Sequence, residues 1–274
     1  SESAKLSGIV DPNLDNKLKN TNNVKIYNDI SEVKLDKQID GVIISSTTHS
    51  HYSIAKKIIN YKIPILIEKP LSINLKEVKS ITKASLEKEV VLQAGFVETY
   101  NPVVNYIKNC NLENIEEVEI FRFSEPALES RNLENVLHDL AIHDISVFDF
   151  LYTLDNLNIV NSETENYDNK ISTAKINFIA GDINVNLNVS NRAENKIRTW
   201  KIKTESNLYE IDFLNKKITT ITKNNDSQLV ELEGGTLPID AQLNSFIRKI
   251  NTNFIDIKHM NSIDKCHEFI SLIT

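Results

Sequence analysis

Three short stretches carry side chains able to move a proton or steady a developing charge. "IEKPLS" (67–72) sets an acid, a lysine and a proline at the end of an apolar run. A lysine ammonium there can hydrogen-bond a reacting hydroxyl or carbonyl and stabilise negative charge on its oxygen. The plainer role is a salt-bridged surface lysine before a turn. "LHDLAIHDIS" (137–146) puts Asp139 and His143 four residues apart, on one face of a helix. Histidine is the side chain most easily poised for proton transfer near neutral pH, and a neighbouring carboxylate favours its imidazolium and fixes its orientation. His138 and Asp144 are alternative actors that spacing leaves open, and packing or surface exposure is the commoner fate of a helical histidine. "SSTTHSHY" (45–52) follows the apolar "GVII". Small hydroxyl residues there let a flat cofactor approach the backbone, and a helix beginning near Ser50 presents N–H groups to an anion. The same residues could simply cap that helix. Two histidines, His49 and His51, on a turn without nearby cysteines make a poor metal site, so no metal is expected. Lysine at a strand end, with aspartate and histidine on a later helix, supplies the parts for proton transfer coupled to hydride transfer.

The elements that must position these groups follow from periodicity. Through about residue 95, apolar runs at 5–10, 24–27, 41–45, 64–68 and 90–96 read as strands, with helical spacing at 50–61 and 74–89 between them. Strands joined by helices and buried on both faces imply a parallel, doubly wound sheet. Ligands of such sheets bind at the carboxyl ends of the strands, here Asp11, Ser45 to Thr48, and Glu68 to Pro70. A helix over 101–109, a strand over 116–124 and a long helix around 133–154 come next. From about 158 to 232 the period is two, with a turn signal "AGD" (180–182), which predicts a mostly antiparallel sheet. One face of "INVNLNV" is apolar and the other rich in asparagine. Helices near 238–251 and 261–274 close the chain.

Bulk properties narrow the function classes. The 274 residues are 41% hydrophobic and 25% charged, enough for two ordinary globular domains. A net charge of −7 without a basic block argues against nucleic acid or anionic membranes as partners. Cys110 and Cys266 are far apart in the sequence and belong to no C-x-x-C pair, which argues against a disulfide framework or structural zinc site and fits a reducing cytoplasm. Apolar runs such as "IPILI" (63–67) are far too short for a membrane span, and "SESAKLSG" has no signal-peptide character.

The stretches "GIVDPN" (8–13), "GVIISSTTHSHYSIAKKII" (41–59), "PILIEKPLS" (64–72), "GFVETYNPVV" (95–104) and "DLAIHDIS" (139–146) stand in an order and at intervals that resemble the Gfo/Idh/MocA family of NAD(P)-dependent oxidoreductases. The likeness runs through "KIRTWKI" (196–202) to the terminal helices. It implies an α/β chain: an incomplete Rossmann-type parallel sheet in a dinucleotide-binding domain over 1–100, then an α+β substrate and oligomerisation domain over 101–274 with a large, mostly antiparallel open sheet. It also implies that Lys69 and His143 contact a reacting sugar hydroxyl, with His143 as acid/base and Asp139 supporting substrate and histidine. Asp11 would hold the adenosine ribose, and Ser45, Ser46, Thr47, His51, Glu68 and Lys69 would lie along the cofactor. The resemblance is to nucleotide-sugar dehydrogenases in particular, which would put Glu98, Asn101 and Arg131 near a sugar or nucleotide-sugar substrate. NAD is favoured over NADP because the Asp11 carboxylate repels a 2′-phosphate. A homo-oligomer formed through the antiparallel sheet is the implied assembly.

Three departures stand out. Thr47 occupies a place where the family usually has proline, and Ser146 one where it has an acid. The six glycines (8, 41, 95, 181, 234 and 235) supply no G-x-G-x-x-G, and no strand precedes "AKLSGIVDP". A first strand, glycine loop and helix would take about 30 residues. The expectation is a truncated copy of an enzyme; the alternative is an oxidoreductase-like module without cofactor binding, serving binding or assembly.

Overall fold

The computed structural model describes residues 4–13, 24–35, 39–110, 112–126, 135–232 and 234–274. The chain divides into two compact units, Ser1–Gly95 with Gln242–Met260, and Phe96–Ala241 with Asn261–Thr274. In the first unit β1 (Gly8–Val10) pairs in parallel with β2 (Lys25–Tyr27), while β3 (Val42–Ile44), β4 (Ile65–Ile67) and β5 (Leu92–Ala94) form a second parallel sheet in that order. The expected parallel sheet is therefore present in two pieces, whose strand orders match the two flanks of a doubly wound sheet. Burial on both faces holds for β4 and β5. It fails at Val10 and Ile43, which are 39% and 51% exposed on edge strands.

Two helices cross over between strands of the three-stranded sheet. Helix α1 (Thr48–Asn60) buries His51, Ala55, Ile58 and Ile59, the spacing of one helical face. Helix α2 (Leu75–Glu87) buries Val78, Ile81 and Ser85 on its own face. Asn74 caps α2 by accepting from Lys76 N at 3.0 Å.

The second unit opens with a short 3₁₀ turn (Val97–Tyr100) and α3 (Pro102–Cys110). Its eight-stranded sheet comprises β6 (Ile115–Phe123), β7 (Leu157–Tyr167), β8 (Lys170–Ala180), β9 (Ile183–Ser190), β10 (Ile197–Thr204), β11 (Asn207–Asp212), β12 (Lys217–Thr222) and β13 (Ser227–Glu231). Their order is 13-12-11-10-6-9-8-7, and only the β6–β9 pair is parallel. The β8–β9 turn places Gly181 at φ +58°, a value that favours glycine. Val185, Leu187 and Val189 point into the core while the asparagines between them face outward.

Between β6 and β7 the chain forms a π-helical turn, Leu137–Ala141, continued by α4 (Ile142–Tyr152). The apolar run read as a regular helix thus contains one wide turn. Phe148 on α4 meets Trp200 of β10 and Phe178 of β8 with ring centroids 6.5 and 5.7 Å apart, building an aromatic core under the sheet.

Helices α5 (Pro238–Thr252) and α6 (Ile257–Ser271) complete the chain. The sequence reading assigns all of 101–274 to the second domain, whereas residues 242–260 pack with the first unit. The reason is apolar cover: Phe246, Ile250 and Ile255 close over Leu66 and Val91. Gly41 leaves the room this needs, since a Cβ there would stand 2.7 Å from Ile250 Cδ1. Among the described residues no helix is long and apolar enough to cross a membrane.

Candidate active site

In the first unit, the residues expected to handle a cofactor follow the strands as the topology requires. After β1, the Asp11 carboxylate accepts from Asn13 N at 2.8 Å, and the Asp11 N–H donates to Tyr27 O at 3.0 Å, so the acid is held at the strand end. After β3, Ser45, Ser46 and Thr47 are exposed and lead into α1. Thr47 is the N-cap of that helix but makes no side-chain cap bond. The cap is instead laced by Ser50, whose hydroxyl donates to Thr47 O at 2.8 Å and lies 2.7 Å from Ser46 Oγ. His51 is different: its ring is buried, with Nε2 2.9 Å from Ser46 O and Nδ1 3.0 Å from Pro70 O.

After β4 stand Glu68 and Lys69, both half-buried, and a cis Lys69–Pro70 peptide. Gly95 at the end of β5 lets Glu68 lie close, because a Cβ at position 95 would come within 2.6 Å of Glu68 Oε2 and 2.9 Å of its Cα. Glu68 and Gly95 are thus fitted to one another by the absence of one methyl group.

In the second unit Asp139 lies on the π turn and His143 just beyond it, both half-buried. Single π turns inside helices are frequent at functional sites. Beside them is a buried charge network. Asp144 accepts from Arg122 Nε and, through Oδ1, from Trp200 Nε1 at 2.8 Å. Glu98 Oε1 stands 2.7 Å from Arg198 Nη1 and 3.7 Å from Arg122 Nη1. Asn101 Nδ2 donates to Glu98 Oε2 at 3.3 Å, and Asn101 Oδ1 accepts from Val103 N at the start of α3.

The network has a clear electrostatic origin. Arg122 and Arg198 are direct cross-strand partners of β6 and β10, a like-charge pairing that would repel. Glu98 bridges them. Burial works against the Arg122 charge, but Asp144 and Glu98 outweigh it and raise its pKa above the ordinary arginine value. Arg198 is held below its ordinary value by burial and by Arg122, opposed by Glu98, Asp144 and Asp139. Asp139 therefore shares its field with the network that anchors Asp144, the residue next to His143.

Glu98 and Asn101, expected near substrate, belong to this network and are each 6% exposed. Arg131 lies outside the described residues. The sequence reading singles out none of Arg122, Arg198 and Trp200. Their signal was an arginine breaking the apolar period of "VEIFR" and "IRTWKI", which marks a charge on the buried face of a strand.

Residues 1–96 match the Gfo/Idh/MocA family, described as an oxidoreductase family with an NAD-binding Rossmann fold. UDP-N-acetylglucosamine 3-dehydrogenase from Acidithiobacillus ferrooxidans is 24% identical over 186 residues, covering 66% of this chain and 58% of that protein. Its solved structure has a TM-score of 0.82 at 18% identity, over 91% of this chain and 82% of that one. Myo-inositol 2-dehydrogenase from Thermotoga maritima is 26% identical over 131 residues, 45% of this chain and 39% of its own. A 3-ketoreductase from Actinomadura kijaniata, solved with NADP and TDP-benzene, has a TM-score of 0.85 at 10% identity, over 98% of this chain and 88% of its own. The sequence matches thus span less than two thirds of these curated relatives, and the structural likeness establishes the fold, a parallel Rossmann-like sheet followed by a large mostly antiparallel one.

Proposed function

From the match of residues 1–96 to the Gfo/Idh/MocA oxidoreductase family we propose that the chain belongs to that family and that the protein oxidises or reduces a hydroxyl carbon of a sugar or nucleotide-sugar with a nicotinamide dinucleotide. The observation that carries the reading is the Glu68-Lys69-Pro70 stretch at the carboxyl end of buried strand β4, following the exposed hydroxyls that end β3. The substrate class is taken from the names of the relatives above.

The donor set fits a dinucleotide. Asp11 offers a carboxylate for ribose hydroxyls and favours NAD over a 2′-phosphorylated form. Ser45, Ser46 and Thr47 lead into a helix N-terminus of the kind that attracts phosphate, with Glu68 and Lys69 at the next strand end. A bound nicotinamide supplies hydride chemistry. The protein's own residues supply the rest. His143 takes or returns the hydroxyl proton, Lys69 steadies charge on the hydroxyl oxygen, and Asp139 supports the substrate and His143. Glu98, Asn101 and Arg131 are assigned to the substrate side, and the open antiparallel sheet to contact with a second copy.

Two measurements test this. In the protein that carries this sequence, Lys69→Ala and His143→Ala should each lower turnover by a factor of about a hundred or more while leaving the unfolding transition in place. Unchanged turnover in both variants would remove the assignment. NADH and NADPH titrations followed by nucleotide fluorescence should show binding, tighter for NADH; a folded protein that binds neither would point to a binding or assembly module instead.

A further inference from the structure

We propose that His51 is a positioning residue: its imidazole ties the loop after β3 to the loop after β4, and through them sets where Thr47 and Lys69 stand. His51 is 1% exposed, and both of its ring nitrogens face protein carbonyls. It projects from the first turn of α1, and its two nitrogens reach two backbone carbonyls in different crossovers. Nε2 lies 2.9 Å from Ser46 O, five residues back, and Nδ1 lies 3.0 Å from Pro70 O, nineteen residues on. Both partners are acceptors. A ring with one N–H donates to one of them, and a ring protonated at both nitrogens donates to both.

A histidine that merely filled the core would need no such pair of targets. Ser46 is flanked by Ser45 and Thr47, and Pro70 follows Lys69, so each carbonyl is the backbone of a group used in the proposed function. A backbone bond from Glu68 N to Ile44 O at 2.9 Å joins these strand ends inside the sheet, before both loops. His51 reaches the loops themselves, beyond that ladder bond. The inference rests on the reading of those loops as cofactor-bearing, but its structural half is separable from that reading.

The test uses three variants that divide the two contacts. His51→Gln keeps an amide near the Nε2 position and so the reach to Ser46 O; His51→Asn keeps one near Nδ1 and so the reach to Pro70 O; His51→Phe keeps ring volume and loses both. Amide hydrogen exchange in the free protein should speed up across 45–48 and 68–72 in His51→Phe, and mainly at one loop in each amide variant. Dinucleotide Kd should rise about fivefold to tenfold in His51→Phe, with KM moving more than kcat. Unaltered exchange at both loops in the amide variants and in folded His51→Phe overturns the tie. Faster exchange with unchanged dinucleotide Kd overturns the positioning role. Should the wild-type protein bind no dinucleotide, the proposed function fails while the exchange result still decides whether His51 joins the loops.

Discussion

At Asp144 one carboxylate answers two buried donors, Arg122 Nε and Trp200 Nε1. Removing one partner of a buried ion pair costs about 3–5 kcal/mol, because the other charge is left uncompensated. Asp144→Ala should therefore destabilise the fold by that amount in urea unfolding. Trp200→Phe removes one neutral donor and keeps most of the ring, so about 1–3 kcal/mol is expected. The order matters more than the values: a tryptophan variant that costs more than the aspartate variant would place the energy in packing instead of charge. Sequence spacing brought out Asp139, His143 and Asp144 together but could not rank them, because the ranking depends on which side of the helix meets β6 and β10. Strand period could flag Arg122 and Arg198 as charges on a buried face; it could not reveal that Glu98, from a 3₁₀ turn twenty-four residues before Arg122, would stand between them.

Among elements, β5 shows how a short edge strand is finished. As an edge it leaves N–H and C=O groups that need partners. Ala94 N donates to His259 Nε2 at 2.9 Å, and Ala94 O accepts from Gln242 Nε2 at 3.2 Å, while Gln93 Nε2 donates to Gln242 O at 3.0 Å. Nothing in "VVLQAGF" announces these partners, about 150 residues away, since side-chain bonds between distant segments leave no local period. The strand itself was legible. His259 must accept, so it must be unprotonated at Nε2, and burial together with Lys249 lowers its pKa to about 4. His267 on α6 is also lowered to about 4, by burial and by His138. Between pH 6.5 and 4 the unfolded chain binds protons at these histidines that the folded chain refuses. Stability from this source is full above about pH 6.5, falls as pH drops toward 4, and is level below. Denaturant unfolding at pH 7, 5.5 and 4.5 should show that fall. His259→Gln, whose side-chain oxygen still accepts and does not titrate, should reduce the slope; an identical slope would assign the acid loss to other groups.

For the whole molecule the consequence is that chain order and spatial units differ. Composition and period suggest a cut near residue 100, yet the first unit recruits Gln242–Met260 from the far end of the sequence. The physical need is visible once the sheet is built: Leu66 and Val91 must be covered, and Phe246, Ile250 and Ile255 do it. Such side chains are worth about 1.5–3 kcal/mol each when fully buried. Domain stabilities are only about 5–15 kcal/mol, so exposing this patch and unpairing Ala94 removes a comparable amount. A fragment of residues 1–100 is therefore expected to lack a cooperative unfolding transition by far-UV circular dichroism and to bind the dye ANS. A chain joining 4–95 to 242–260 through a flexible glycine-serine linker should recover a cooperative transition and lose the dye signal. Cooperative unfolding of the 1–100 fragment alone would mean that the apolar face over Leu66 and Val91 is not needed, and that the sequence boundary is a folding boundary after all.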